Sequence, residues 1–283
     1  MIKPRTIVDY SSIVTRTSMS VLLEVMTILR AYEESLVLIG GWVPYLLLRG
    51  NPASFEHAGS IDIDLAVDIS KIGSDAYATI VQRLADRGYT LDPTIKYRLN
   101  RTIPELGAPI GIDFLVEHAP DQGKNRRHRT VQPDLEARAT QHLDMAFKYP
   151  AVIRIEGELP GGGGKTSLEI QMADIPAFFA LKGLALGERY KEKDAYDIYA
   201  VTRYYGKDIQ EVAGKLAPHQ SEPGLKEGMA NIREKFRSLE AAGPAWVVNF
   251  ISPASGDNEI ARLRQDAFIT MDTLLNLTES SGI

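Results

Sequence analysis

"SLVLIGGWVPYLLLRGNPASFEHAGSIDIDLAVDIS", residues 35–70, sets the problem posed by this chain. An apolar run ends at Gly40-Gly41. Some twenty residues later Asp62, Asp64 and Asp68 fall within seven positions, the first two inside a run that is otherwise apolar from Ile61 to Val67. "LVLIG" (36–40) reads as a buried strand stopped by glycine. "WVPYLLLRG" reads as a helix with Pro44 in its first turn and Gly50 near its end. "SIDIDLAVD" (60–68) alternates with the period of a strand. Residues two apart on a strand share a face, so Asp62 and Asp64 project side by side while Ile61, Ile63 and Leu65 point into core. Neighbouring carboxylates repel, and burying them without a partner is costly. A divalent cation such as Mg²⁺, which takes hard oxygen ligands, is the expected counter-charge.

Outward from this stretch, residues 18–34 carry apolar positions at helical spacing. Residues 74–89 read as an amphipathic helix, with Ser74 as N-cap and Gly88 as its stop. "TIKYRLNRTI" (94–103) and "IGIDFLVEH" (110–118) read as two strands of a hairpin or meander. The second holds Asp113 between Ile112 and Phe114. If it lies beside 60–68, Asp113 joins Asp62 and Asp64. Three carboxylates can hold two Mg²⁺ about 3.5–4 Å apart, the arrangement that serves in-line phosphoryl transfer. Gly40-Gly41 then gains a use: a strand–glycine–helix turn offers backbone N–H groups to phosphate with no side chain in the way. Ser60 could add a hydroxyl. Asp68 reads as a strand end or helix cap, and Glu117 as solvated. The plain alternative is a tight connection followed by an edge strand with solvated aspartates; the three elements together favour the site.

Residues 119–141 are polar and read as a long loop. "AVIRIEGEL" and "KTSLEIQMADI" flank "PGGGG" (160–164) as a hairpin with a glycine tip. Lys165-Thr166 after four glycines imitates a phosphate loop, but Pro160 stands where the leading glycine of that motif belongs, and a strand follows. Beyond Asp174 the period is helical. The expected fold is α+β: a mixed-sheet domain over 1–174, then a helical domain over 175–283.

The net charge of −5 gives no overall basic field, although "KNRRHR" (124–129) sets five basic side chains in six positions and is a candidate for RNA phosphates. A solvated loop explains that run equally well. Cysteine is absent, which excludes disulfides, thiolate nucleophiles and Cys-ligated zinc, and the five histidines lack metal-protease spacing. The first twenty residues lack the apolar core of a signal peptide, and no run approaches the ~18 apolar residues of a membrane span. The expected compartment is the cytoplasm, with no membrane partner.

At this point the chain resembles a family. The glycine pair, "SIDIDL" and the later "IDFL" are similar to the nucleotidyltransferase superfamily of DNA polymerase β. "LKGLALGERYKEKDAYDIYAV" (181–201) resembles the K…R…KD..D motif of AbiEii/AbiGii-type nucleotidyltransferase toxins, and the whole resemblance spans about residues 36–201. It implies a polymerase-β-like domain, Mg²⁺ as cofactor, a nucleoside triphosphate as substrate, and the toxin half of a toxin–antitoxin or phage-defence pair with a cognate antitoxin as partner. Carried over, Gly40, Gly41, Ser60, Asp62 and Asp64 fall on the glycine and metal motif and Asp113 on the third acid. Lys182, Arg189, Lys193, Asp194 and Asp197 fall on the helical motif, with Lys182 and Asp197 the pair expected to be essential. Asp62, Asp64 and Asp113 would bind metal; the glycines, Ser60, Lys182, Arg189, Lys193 and Asp194 would bind nucleotide. One departure concerns the arginine that members often carry two positions before the serine: here it is Ala58, beside His57.

Apart from the resemblance, Lys182, Arg189 and Lys193 would share one face of a continuous helix, with Asp197 a little further round. That cationic face could hold a triphosphate. It could equally be a solvated face with pairs such as Lys193–Asp197, stabilising by a few tenths of a kcal/mol, with Asp194 as a helix cap. The expected function is transfer of a nucleotide to RNA, a tRNA acceptor end first, blocking translation. The rivals are transfer to a small molecule or protein side chain, and a nucleotide-binding or interaction protein without turnover.

Overall fold

A computed structural model describes residues 4–72, 74–106, 108–118, 128–132, 135–252 and 256–280. The chain is mixed α+β and divides into two units. One is Ser12–Val43 with Ser60–Asp174; the other is Met1–Ser11, Pro44–Gly59 and Ile175–Ile283. The change after Asp174 falls where the strand period gives way to the helical one. Periodicity does not reveal that 44–59 belong with the helices. Within that unit Phe55 stacks on Tyr204 at 4.0 Å between ring centroids, and His57 bonds Asp197.

The sheet unit begins with α1 (Ser12–Ile28), followed by β1 (Leu36–Ile39); α2 (Trp42–Leu47) straddles the division. The unit resumes with β2 (Ile63–Val67), α3 (Ser74–Ala85), β3 (Tyr89–Leu91), β4 (Arg98–Thr102) and β5 (Pro109–Glu117). It continues with β6 (His128–Gln132), β7 (Leu135–Thr140), α4 (Asp144–Lys148), β8 (Pro150–Glu158) and β9 (Lys165–Ala173). The strands lie in the order β3-β4-β5-β2-β1-β9-β8, with β6 and β7 attached through β7 to β5. The sheet is mixed: β2 runs parallel to β5 and β1 parallel to β9, while the other neighbours along that path are antiparallel. Its centre is apolar on both faces. Leu36–Ile39 are all buried, as is every residue from Ile110 to Val116, the burial expected of strands covered on both sides.

Two local expectations are corrected. The loop expected over 119–141 contains β6 and β7, paired antiparallel, with β7 parallel to β5. Leu135, Ala137 and Ala139 alternate with Glu136, Arg138 and Thr140, and Ala137 is fully buried between half-buried neighbours, so the strand period is present in β7 but is carried mostly by small residues in a polar segment. The helix expected to reach residue 89 stops at Ala85, and Tyr89 opens β3 with its ring buried and its hydroxyl donating to Glu24 Oε2 at 2.7 Å. The glycine-tipped hairpin forms in full register from Pro150↔Ala173 to Glu158↔Lys165.

The helical unit contains α5 (Ile175–Glu188), α6 (Glu192–Tyr204), α7 (Ile209–Leu216), α8 (Pro223–Lys235), α9 (Ala242–Ile251) and α10 (Asp257–Ser280). Helix α9, "AGPAWVVNFI", is apolar nearly all round and has no strong polar face. Helix α5 is of the same kind, packed against α6, α7 and α8. Among the described residues no helix is long and apolar enough to cross a membrane.

Candidate functional site

The sheet brings the predicted acids together by register. Asp64 on β2 is the Cα partner of Asp113 on the parallel strand β5, and Asp113 is in turn the partner of Arg98 on the antiparallel strand β4. Asp62 lies just before β2 rather than inside it, so strand alternation alone does not place it. The loop is fixed instead by hydroxyls: Ser18 Oγ donates to the Ile61 carbonyl at 2.6 Å, and Ser60 Oγ to the Asp62 carbonyl at 3.0 Å. Ser60 is itself buried, so its hydroxyl shapes the loop.

The glycine pair has a steric reason for being where it is. Ile39 is the register partner of Asp64, and Gly40 follows it with φ +74°, in the left-handed region that glycine enters freely. A Cβ at Gly40 would stand 2.0 Å from Asp64 Oδ2. Gly40 therefore clears space for a carboxylate. Helix α2, six residues long, is too short to present much of a helix dipole.

Arg98, which the sequence reading passed over, is the cation of this cluster. Its Nε donates to Asp113 Oδ1 at 2.6 Å and its Nη2 to Asp113 Oδ2 at 2.8 Å, a bidentate pair, while Nη2 stands 3.5 Å from Asp62 Oδ2. Room for the guanidinium comes from Gly111, where a Cβ would lie 2.9 Å from Arg98 Cζ and from Asp62 Oδ1. Burial raises the Asp113 pKa to about 6; Arg98 works against that rise, and the Asp64 charge adds to it. The hydrogen bond to Asp113 in turn raises the pKa of Arg98, keeping it charged.

Tested against Mg²⁺, the donor set fits in chemistry, being all carboxylate oxygen. As arranged here, no group of three His, Asp or Glu side chains among the described residues is poised to hold a metal ion. Arg98 stands among them instead.

The predicted basic helix motif has a different character. It is not one helix: α5 ends at Glu188 and α6 begins at Glu192. Lys182 on α5 donates to Asp194 Oδ1 at 2.8 Å and to Asp197 Oδ2 at 2.6 Å, both on α6. Lys193 reaches Asp197 Oδ1 at 2.7 Å, and its ammonium lies 5.3 Å from the centre of the Tyr10 ring. Arg189 closes the group on Asp194 at 2.8 and 3.1 Å and is, with its side chain 42% exposed, the most open of the three cations. Lys182, Lys193, Asp194 and Asp197 are buried. Burial opposes every one of these charges. Lys182 is nonetheless held above its usual pKa by Asp194 and Asp197, and Asp197 far below its own by Lys182 and Lys193. For Lys193 burial wins, lowering it to about 8. The expected cationic face is thus an internal ion network.

His57 completes the network. Its Nε2 lies 3.0 Å from Asp197 Oδ1, and its Nδ1 accepts the Gly59 N–H at 3.0 Å. An accepting Nδ1 is unprotonated, so the ring is the neutral Nε2–H tautomer. Burial lowers its pKa to about 4, against the pull of Asp197. The next residue, Ala58, donates its N–H to the Tyr196 hydroxyl at 3.1 Å. Ala58 is therefore tied by its backbone to α6.

The remaining expectations fall as follows. Trp42 is fully buried. Asp68 accepts from the Ser70 N–H and hydroxyl, at 3.0 and 2.6 Å, and ends its strand. Glu117, expected in solvent, is half-buried and accepts the Asp144 N–H at 2.7 Å. Of the basic run 124–129, residues 124–127 lie outside the described residues, and His128 and Arg129 open β6. No family model, no curated protein and no solved structure matches the chain.

Proposed function

We propose that the chain is a Mg²⁺-dependent nucleotidyltransferase, moving a nucleoside monophosphate from an NTP to an acceptor hydroxyl with release of pyrophosphate. The supporting observation is the register of Asp64 and Asp113 on adjacent parallel strands, with Gly40 cleared against Asp64. The three acids are the residues that would hold the metal, Asp62 and Asp64 foremost. Bound there, Mg²⁺ would neutralise the triphosphate and lower the pKa of the attacking hydroxyl. The chain itself supplies a fixed positive charge in Arg98, held by Asp113 and stationed beside Asp62, where negative charge on a transferring phosphoryl group would gather. Lys182, Lys193, Asp194 and Asp197 act in this reading as the internal frame of the helical unit.

The acceptor in this reading is RNA, a tRNA end first, on the strength of the basic run 124–129; the toxin role and the cognate antitoxin follow from the resemblance alone. A second reading, a nucleotide binder without turnover, is favoured by one observation: the carboxylates already have a cation in Arg98. The test is incubation of the purified chain with each α-labelled NTP, Mg²⁺ and total RNA. Label on RNA that is lost in Asp62→Ala supports the proposal. Label on protein or small molecules alone moves the acceptor. No label anywhere leaves the second reading.

A further inference from the structure

A strand edge offers backbone N–H and C=O groups to any chain that can pair with it, so sheets ordinarily keep their edges short, bulged or covered. In this sheet β3, at one end of the strand order, is three residues long, and β6 is five residues long with an irregular register against β7. Strand β8, at the other end, is different. Among the described residues it pairs with β9 alone, over nine residues in unbroken register. The parity of that ladder is fixed at both ends: the Leu159 N–H donates to the Gly164 carbonyl at 2.8 Å, and the Asp174 N–H to the Tyr149 carbonyl at 3.0 Å. Bonded pairs alternate along an antiparallel ladder. The odd-numbered residues of 149–159 therefore turn their backbone groups to β9, and the even-numbered ones turn theirs to the edge. That edge is bounded. Pro150 has no N–H, and Ser20 Oγ of α1 donates to the Glu158 carbonyl at 2.6 Å. Between them Val152, Arg154 and Glu156 carry exposed side chains, Val152 to 67%.

We propose that β8 is a self-pairing edge: two copies of this chain join β8 to β8, antiparallel, across a twofold axis at Ile155, making one continuous sheet. An isologous contact has to be self-complementary, and β8 is. Residues that meet across such an axis are placed symmetrically about 155, so Arg154 of each copy faces Glu156 of the other. Both are even-numbered, so each such pair exchanges its two backbone hydrogen bonds along the open edge. Opposite charges directly across a ladder stabilise it, and like charges destabilise it. The same side chains select the register. Sliding by two residues is the smallest shift that keeps every side chain on its own face. In one direction it sets Arg154 against Arg154, and in the other Glu156 against Glu156. The pairing ends where Ser20 holds the Glu158 carbonyl. Within one copy Arg154 Nε donates to Ser167 Oγ at 2.8 Å, and a guanidinium has further N–H donors for a facing carboxylate.

The test is the oligomeric state of the full chain, followed by sedimentation velocity over a range of concentrations. The unaltered chain should approach twice its monomer mass as concentration rises. Arg154→Glu and Glu156→Arg each set like charges across the axis and should each weaken the dimer about tenfold. The double variant, with the two charges exchanged, should return to within about threefold of the unaltered chain. Both side chains are exposed, so the variants should keep the melting behaviour of the parent chain by circular dichroism. Glu156→Pro removes an outward N–H while leaving the β9 ladder its bonds, and should abolish the dimer without unfolding the monomer. A monomer at every concentration overturns the proposal and leaves the edge to a strand of another protein or to water. A dimer that the single reversals leave unchanged also overturns it, as does one that they weaken and the exchange does not restore.

Discussion

Two regions of this molecule gather charge, and they settle it in opposite ways. In the sheet unit, three carboxylates share one guanidinium, and Asp62 keeps a side-chain exposure of 43%. In the helical unit, Asp194 and Asp197 are shared among Lys182, Lys193 and Arg189, and the side chains of Lys182, Lys193, Asp194 and Asp197 are each less than a tenth exposed. The first is partly open to solvent; the second is closed off from it. A charge with an open side can bind something. A charge whose partners are all internal holds helices together. Sequence motifs do not separate the two cases, because both present acids and bases at helical or strand spacing.

The sharpest way to break this contrast is Asp197→Ala. It strips Lys182, Lys193 and His57 of their common acceptor, and stability should fall by about 3–5 kcal/mol in denaturant melts, as for buried pairs that lose one member. A loss of nucleotide transfer with unchanged stability would make the network part of the chemistry instead. The next effect is one of pH. His57 has its folded pKa lowered to about 4 by burial, beneath about 6.5 in the unfolded chain. Between those values the unfolded state binds a proton that the folded state refuses. The stability from this group is therefore full above about pH 6.5 and lost as pH falls to about 4, about 3 kcal/mol in all. His57→Gln should flatten that stretch of the stability–pH curve, and an unchanged curve would show that the imidazole charges freely in place.

In the other region, Gly40→Ala forces Asp64 aside and strains a left-handed residue. About 1 kcal/mol of stability should go, with a larger proportional fall in label transfer. Transfer equal to that of the parent chain would mean that Asp64 need not stay where it is. Smallest of all, Lys165→Ala should change melting by less than about 0.5 kcal/mol and nucleotide binding not at all. Lys165 is 82% exposed, at 4.0 Å from Glu158 on a hairpin that is no phosphate loop.

Much of the sheet could be read from the sequence, because β1, β2 and β5 carry dense apolar residues. The pairing that matters, Asp113 beside Asp64, followed from asking what two neighbouring aspartates need. What stayed hidden shares one cause: it depends on partners distant in the chain. Arg98 in "YRLNR" looks like any exposed strand arginine until β4 is laid against β5. His57 looks like a lone loop histidine until Asp197 reaches it. The Lys182 motif was legible as a motif and misleading as a surface, because α5 is apolar nearly all round and buries it.

The route of residues 44–59 bears on how the molecule comes into being. His57 leaves the ribosome 140 residues ahead of the carboxylate it must meet. The nascent excursion has nothing to close upon until α6 has been made, and such late, distant closure slows assembly. Since each unit borrows chain from both sides of the other's segments, no single cut yields two intact halves: residues 175–283 expressed alone would lack an imidazole at their centre.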